Sequence, residues 1–147
     1  MSRPRAALAG AAAALVWGAL EPIDKRVFRN DYSDVAMLGK FVTRTRAWPL
    51  AGLAMHAANG ALFGLAVDAV GRRTRWPVRR IALGLALAEN FTLFPLAFVV
   101  DRNHPVRGES GLAPLFTLRG LAQETARHTL FGILLGRLIE ERDPARG

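Results

Sequence analysis

Long apolar stretches alternate along this chain with short segments dense in arginine, and single ionisable or amide residues are set inside the apolar stretches. Trp48 to Val70 runs 23 residues with only His56, Asn59 and Asp68 as strongly polar members. Ile81 to Val100 runs 20 residues interrupted by Glu89, Asn90 and Thr92. Such lengths match the roughly 30 Å hydrocarbon core of a bilayer. Ala6 to Leu20 is a shorter, alanine-rich stretch behind Arg3 and Arg5, about 22 Å long as a helix. It reaches across if Pro4 and Glu21 join it or the bilayer thins locally. A signal peptide is the rival reading, but Val16-Trp17-Gly18 is a poor cleavage site. The pattern therefore predicts helical spans over residues 5–21, 48–70, 79–100 and 114–139. Glu21-Pro22 is expected to end or kink the first, Pro95 to kink the third, and Ala113-Pro114 to start the last.

Between the first two spans, Val35, Leu38, Phe41 and Val42 share one helical face, with Lys40, Thr43, Arg44 and Arg46 off it. Ser33 or Asp34 suits the N-cap. This predicts a short amphipathic helix over 33–46 lying in the membrane interface, with packing on the bundle as the alternative. The expected fold class is all-α: an integral membrane four-helix bundle with a short interfacial amphipathic helix, residues 1–147 forming one transmembrane domain.

Composition sharpens this picture in three places. Hydrophobic residues make up 51% and charged residues 22%, and the charge sits in the segments between apolar stretches. The net charge of +8 comes almost wholly from arginine, Lys25 and Lys40 being the only lysines. Arg72, Arg73, Arg75, Arg79 and Arg80 flank apolar segments, as membrane-proximal loops do, and no nucleic-acid-binding pattern is present. Together with Arg3, Arg5, Arg137, Arg142 and Arg146 they put ten basic residues on one side, against eight on the other, which predicts both termini in the cytoplasm. The absence of cysteine excludes disulfides and thiolate chemistry. No Walker A loop, G-x-S-x-G or H-E-x-x-H occurs, so the chain leans away from enzymes and no catalytic residue is expected.

One pattern occurs twice. His56, Gly60 and Gly64 form H-x-x-x-G-x-x-x-G in the second span, and His128, Gly132 and Gly136 repeat it in the fourth. The spacing puts each trio near one face, and the glycines suit close helix packing. It also suggests two related helical hairpins. In an up-and-down bundle the two histidines fall at one depth, and His56, Asn59, Glu89, Asn90, Glu124 and His128 are the expected intramembrane polar cluster, in the outer half. Three readings stay open. The cluster is a hydrogen-bonded core that fixes register; or it passes protons or ions, for which buried carboxylates and histidine are suited; or His56 and His128 hold haem or a divalent metal, although no cofactor is the leading expectation. Membrane homeostasis accompanies the second reading. An accessory subunit that packs through its glycine seams on itself or on a larger membrane complex is the alternative function. The lipid bilayer is the first expected partner and nucleic acid is not one.

Val16-Trp17-Gly18-Ala19 with Glu21 and Pro22, His56 in an apolar helix, and His128 with Arg137 in the last span resemble the YagU-like proteins, small bacterial inner-membrane proteins with four predicted helices. The resemblance implies membrane location and this architecture, and carries no catalytic residues.

Overall fold

A computed structural model describes residues 3–142; Arg146 and the side chain of Arg142, both counted toward orientation, lie outside the described residues. The elements are α1 (Arg3–Phe28), α2 (Asp34–Val42), α3 (Trp48–Arg73), α4 (Val78–Leu93), a 3₁₀ turn (Phe94–Leu96), α5 (Ala97–Asn103) and α6 (Leu118–Arg142). Among the described residues there is no strand, and Tyr32 and Leu112 form an isolated bridge between two loops.

Three helical runs, Arg3–Phe28, Trp48–Arg73 and Val78–Asn103, are each 26 residues and apolar enough to cross a membrane. Their large apolar side chains face outward: Leu8, Ile23, Leu50, Leu62, Phe91 and Val99 are exposed. Small residues fill the interior, among them Ala6, Ala9, Ala13, Ala14, Ala82 and Ala86. Larger side chains join them at Trp17, Val67, Ile81, Phe131, Leu135 and Ile139. α6 has nearly the same length, 25 residues, but Arg119, Glu124, Arg127 and Arg137 keep it out of that apolar class.

Several boundaries differ from expectation, each for a local reason. α1 does not stop at Glu21-Pro22; Pro22 lies inside it and the helix runs on to Phe28. Glu21 and Asp24, on either side of the proline, are tied to other elements and hold that turn. Pro95 sits in the 3₁₀ turn that joins α4 to α5. α6 begins at Leu118, not Ala113, because the Asp101 carboxylate captures the Leu115 and Phe116 N–H groups and the Thr117 hydroxyl caps Gly120. α2 ends at Val42, short of Arg46, and buries a different face: Val35, Ala36, Gly39 and Lys40 are inside, while Phe41 and Val42 are exposed. Lys40 is accommodated because its ammonium donates to Glu109 at 3.0 Å and to the Ser110 carbonyl at 2.8 Å.

Two antiparallel helix pairs make up the body. α1 packs closely on α3, and α4 on α6; α1 also meets α6, whereas α3 and α4 touch far less. Backbone contact at glycine explains the tight pairs. A Cβ on Gly10 or Gly60 would overlap the other's carbonyl oxygen, and one on Gly64 would overlap that of Ala6. Across the second pair, a Cβ on Gly132 would lie 2.8 Å from the Leu83 Cα, and on Gly136 2.8 Å from the Arg79 Cα. The two repeated glycine motifs therefore do the same job in each pair, and both seams are filled from within the chain. Gly39 and Gly52 bring α2 equally close to α3.

Replacing Gly60 by leucine is expected to push α1 off α3 and lower stability by about 1–3 kcal/mol or more, the usual cost of overpacking. Gly84→Ala, where a Cβ would meet nothing within 4 Å, is expected to leave stability unchanged. Unfolding titrations in detergent compare the two, and equal midpoints would refute the seam.

Candidate functional site: a polar chamber between the helix pairs

On α1, Trp17, Glu21 and Asp24 follow one another at helical spacing and turn one polar stripe inward. Arg127 of α6 meets that stripe. Its guanidinium takes Asp24 in a two-bond fork, Nε to Oδ2 and Nη2 to Oδ1, both at 2.7 Å. It also donates to Glu124 at 2.9 Å, to Asp34 at 3.0 Å and to the Tyr32 carbonyl at 3.0 Å. A planar five-donor group is suited to such a hub in a way a lysine is not. Gln123, fully buried, extends the network by donating to Asp24 at 2.6 Å and accepting from Asn30 at 2.8 Å.

Glu21 has a separate task. It accepts from the Ser33 hydroxyl at 2.5 Å and from the Asp34 and Val35 backbone N–H groups at 2.9 and 3.3 Å. A carboxylate there satisfies orphan donors at the N-terminus of α2 and complements its dipole. Ser33 is the N-cap, accepting from Ala36 N–H at 2.9 Å. The N-terminus of α2 is thus pinned to α1 and α6, while its body packs on α3. The loop after α5 closes over it: Asp31 accepts from Gly111 N–H at 2.9 Å, Lys25 pairs with Asp31 at 3.0 Å, and Gly111 adopts φ of +82°. The Gly111 N–H, and then Lys25, hold the Asp31 carboxyl below its ordinary value.

Beneath α2 lies a chamber of about 130 Å³, lined by residues of α1, α2, α3, α4 and α6. Asp34, His56, Asn59, Glu89 and His128 bring polar groups to its wall, and Trp17, Phe63 and Phe131 bring aromatic ones. Trp17 is edge-on to both histidines, with ring centroids 5.2 Å from His56 and 4.9 Å from His128. The two histidines thus flank one tryptophan ring. His128 donates from Nδ1 to the Glu124 carbonyl at 2.8 Å, which leaves its Nε2 facing Glu89 at 3.8 Å. Two buried nitrogens, Trp17 Nε1 and His56 Nε2, have no hydrogen-bond partner among the described residues.

Four of the six residues expected to cluster, His56, Asn59, Glu89 and His128, share the chamber wall. Glu124 sits behind it, between Arg127 and His128. Asn90 is turned away and donates to Thr125 at 3.0 Å across the α4–α6 contact. Asn59 is exposed at the chamber's edge. Sequence reasoning missed Trp17, Asp24, Asp34 and the hub role of Arg127. The inward stripe Trp17, Glu21, Asp24 was the available signal. For a metal or haem, the contact of Trp17 with both imidazoles competes with any group held by the two rings. No group of three or more potential protein ligands gathers among the described residues. Toward the end of the bundle that carries the α3–α4 loop the core turns apolar, with Ala9, Ala13, Val67, Ala82, Leu135 and Ile139. No family model, curated protein or solved structure matches the chain.

Arg127→Met is expected to strand Asp24, Asp34 and Glu124 without their cation and to cost about 3–5 kcal/mol, as breaking a buried ion pair does. Arg127→Lys should recover only part of it, because the fork to Asp24 is lost. Denaturant titration of the purified variants checks both. Asp31 has a lowered folded pKa, so its contribution to stability is present above its unfolded value, near 3.9, and is lost as pH falls through the folded value. Asp31→Asn should flatten that acid dependence of the unfolding midpoint.

Proposed function

We propose that this is a multi-pass protein of a cell membrane, a four-helix bundle with α6 as the fourth span and α2 near the interface, which exchanges protons or small cations at the chamber between its two helix pairs. The observation that carries the reading is the set Glu89, His128, His56 and Asp34 on one chamber wall, within a body whose outward surface is apolar. Titratable groups are costly in a hydrocarbon setting and tend to mark ion and proton sites. Glu89 opposite the free Nε2 of His128 is a carboxyl–imidazole couple able to trade a proton after a small approach or through one water.

The apolar half below the chamber supports a site reached from one side at a time, rather than an open pore. Sites at the interface between repeated helix units are a recurring arrangement in transporters. The glycine-sealed pairs α1–α3 and α4–α6, with a sparse α3–α4 contact, are suited to move as two units. The residues behind the resemblance to the YagU-like proteins include Trp17, Glu21, His56 and His128, which belong to this same polar core. Both termini in the cytoplasm would turn the chamber's half toward the outside. The accessory-subunit reading loses its main support, since both glycine seams are occupied internally.

Proteoliposomes with an imposed pH gradient and an enclosed pH-sensitive dye test the proposal. The parent protein should dissipate the gradient, and Glu89→Gln should abolish that flux while retaining its helical spectrum. Unchanged flux in the variant would refute a role for Glu89 in proton exchange.

A further inference from the structure

A second cavity, of about 340 Å³, lies among the loops at the end of the bundle opposite the α3–α4 loop. Its size falls in the range of small-ligand clefts. Tyr32, from the loop after α1, forms part of its wall, and α5 with the loop that follows forms the rest. His104 is on that wall but is spent on the fold: Nε2 bonds the Met37 carbonyl at 3.0 Å, and Nδ1 accepts from the Val106 N–H at 3.4 Å.

Tyr32 carries the first observation. It is only 2% exposed, it packs with Ala97 and Leu115, and it lines the cavity. Its hydroxyl has no hydrogen-bond partner among the described residues, and it is not sealed off as Trp17 Nε1 and His56 Nε2 are. Buried polar groups are nearly always satisfied, so this hydroxyl needs a partner from the cavity side. Burial, and then the charges of Asp34 and Glu124, push its pKa well above the ordinary phenol value, so it stays an O–H donor.

The second observation is a pair of opposite charges. Asp101 and Arg107 both line the cavity, and among the described residues they pair neither with each other nor with another charged group. The Asp101 carboxylate is fixed by the Leu115 and Phe116 N–H groups at 2.9 and 2.7 Å and keeps lone pairs to spare. Arg107 donates from Nη1 to the Arg102 carbonyl at 2.5 Å, which leaves most of its five donors available. A wall with one charge of each sign offers little to a bare ion and suits a ligand that carries both. Val100, Leu112 and Pro114 add an apolar side.

We propose that this cavity binds a small apolar α-amino acid as its zwitterion. The carboxylate sits on Arg107 and the Tyr32 hydroxyl, the ammonium on Asp101, and the side chain against Val100, Leu112 and Pro114. The cavity shares no lining residue with the chamber, so this site stands or falls apart from the proton–cation reading.

Calorimetric titration of the full chain in dodecyl maltoside micelles tests it. L-valine should bind saturably. Valinamide, which lacks the carboxylate, and isovalerate, which lacks the ammonium, should each bind about tenfold more weakly or worse, the scale of losing a charge-assisted hydrogen bond. Arg107→Gln lies on an exposed loop and should weaken valine to a similar degree while leaving valinamide no weaker. Tyr32→Phe, with its helical spectrum intact, should do the same. Micelles doped with phosphatidylethanolamine should leave the valine affinity unchanged; competition would make the lipid headgroup the occupant and overturn the amino-acid assignment. No saturable heat with valine, an amide or acid that matches valine, or an unchanged valine affinity in Arg107→Gln or Tyr32→Phe would overturn the proposal.

Discussion

A buried guanidinium that must be satisfied on every side organises this molecule. Arg127 is 3% exposed and contacts α1 through Asp24, the following loop through the Tyr32 carbonyl, α2 through Asp34 and its own helix through Glu124. Desolvating such a charge is expensive, and only a complete set of acceptors offsets it. The set can be completed only if α1 continues past Pro22 to present Asp24, and only if α2 folds back over the α1–α6 contact. The ion network therefore explains two features that helix propensity alone would not produce.

The second constraint is steric. Many large apolar side chains point out, and the helix contacts are lined largely by alanine and glycine, with bulk buried at Trp17, Phe131, Leu135 and Ile139. Close approach adds to that burial: backbone meets backbone at Gly10 and Gly60 in one pair, and at Gly132 with Leu83 in the other. Dispersion contacts along such seams are individually small and collectively substantial. Each pair becomes a stiff unit. The chamber lies where the two units meet, beside α2. Across that junction α1 also meets α6, and the Arg127–Asp24 fork ties the two pairs together.

The repeated H-x-x-x-G-x-x-x-G motif was readable as a packing seam and as a depth marker, since both follow from helical geometry at fixed rise and turn. It pointed to His56 and His128, which both line the chamber. It could not reveal that Trp17 would contact both of them, because that depends on α1 lying against α3 and α6 together. Glu89 was legible as a lone acid in an apolar stretch. Asn90, its neighbour, looked equivalent in the sequence but lies around the helix and serves the α4–α6 contact instead. One residue of rotation, about 100°, separates a chamber wall from a helix interface.

Spacing and hydropathy alone determined that the chain is helical, that three runs are long and apolar enough to cross a membrane, and that a few titratable residues are embedded in them. These are local properties, set by 3.6 residues per turn and by the free energy of transferring each side chain. Which acid meets Arg127, which face of α2 is buried, where α6 begins and which nitrogens are left without partners were decided by tertiary structure. Each depends on groups as far apart in sequence as Asp24 and Arg127 arriving within hydrogen-bonding distance, and no local pattern encodes that meeting.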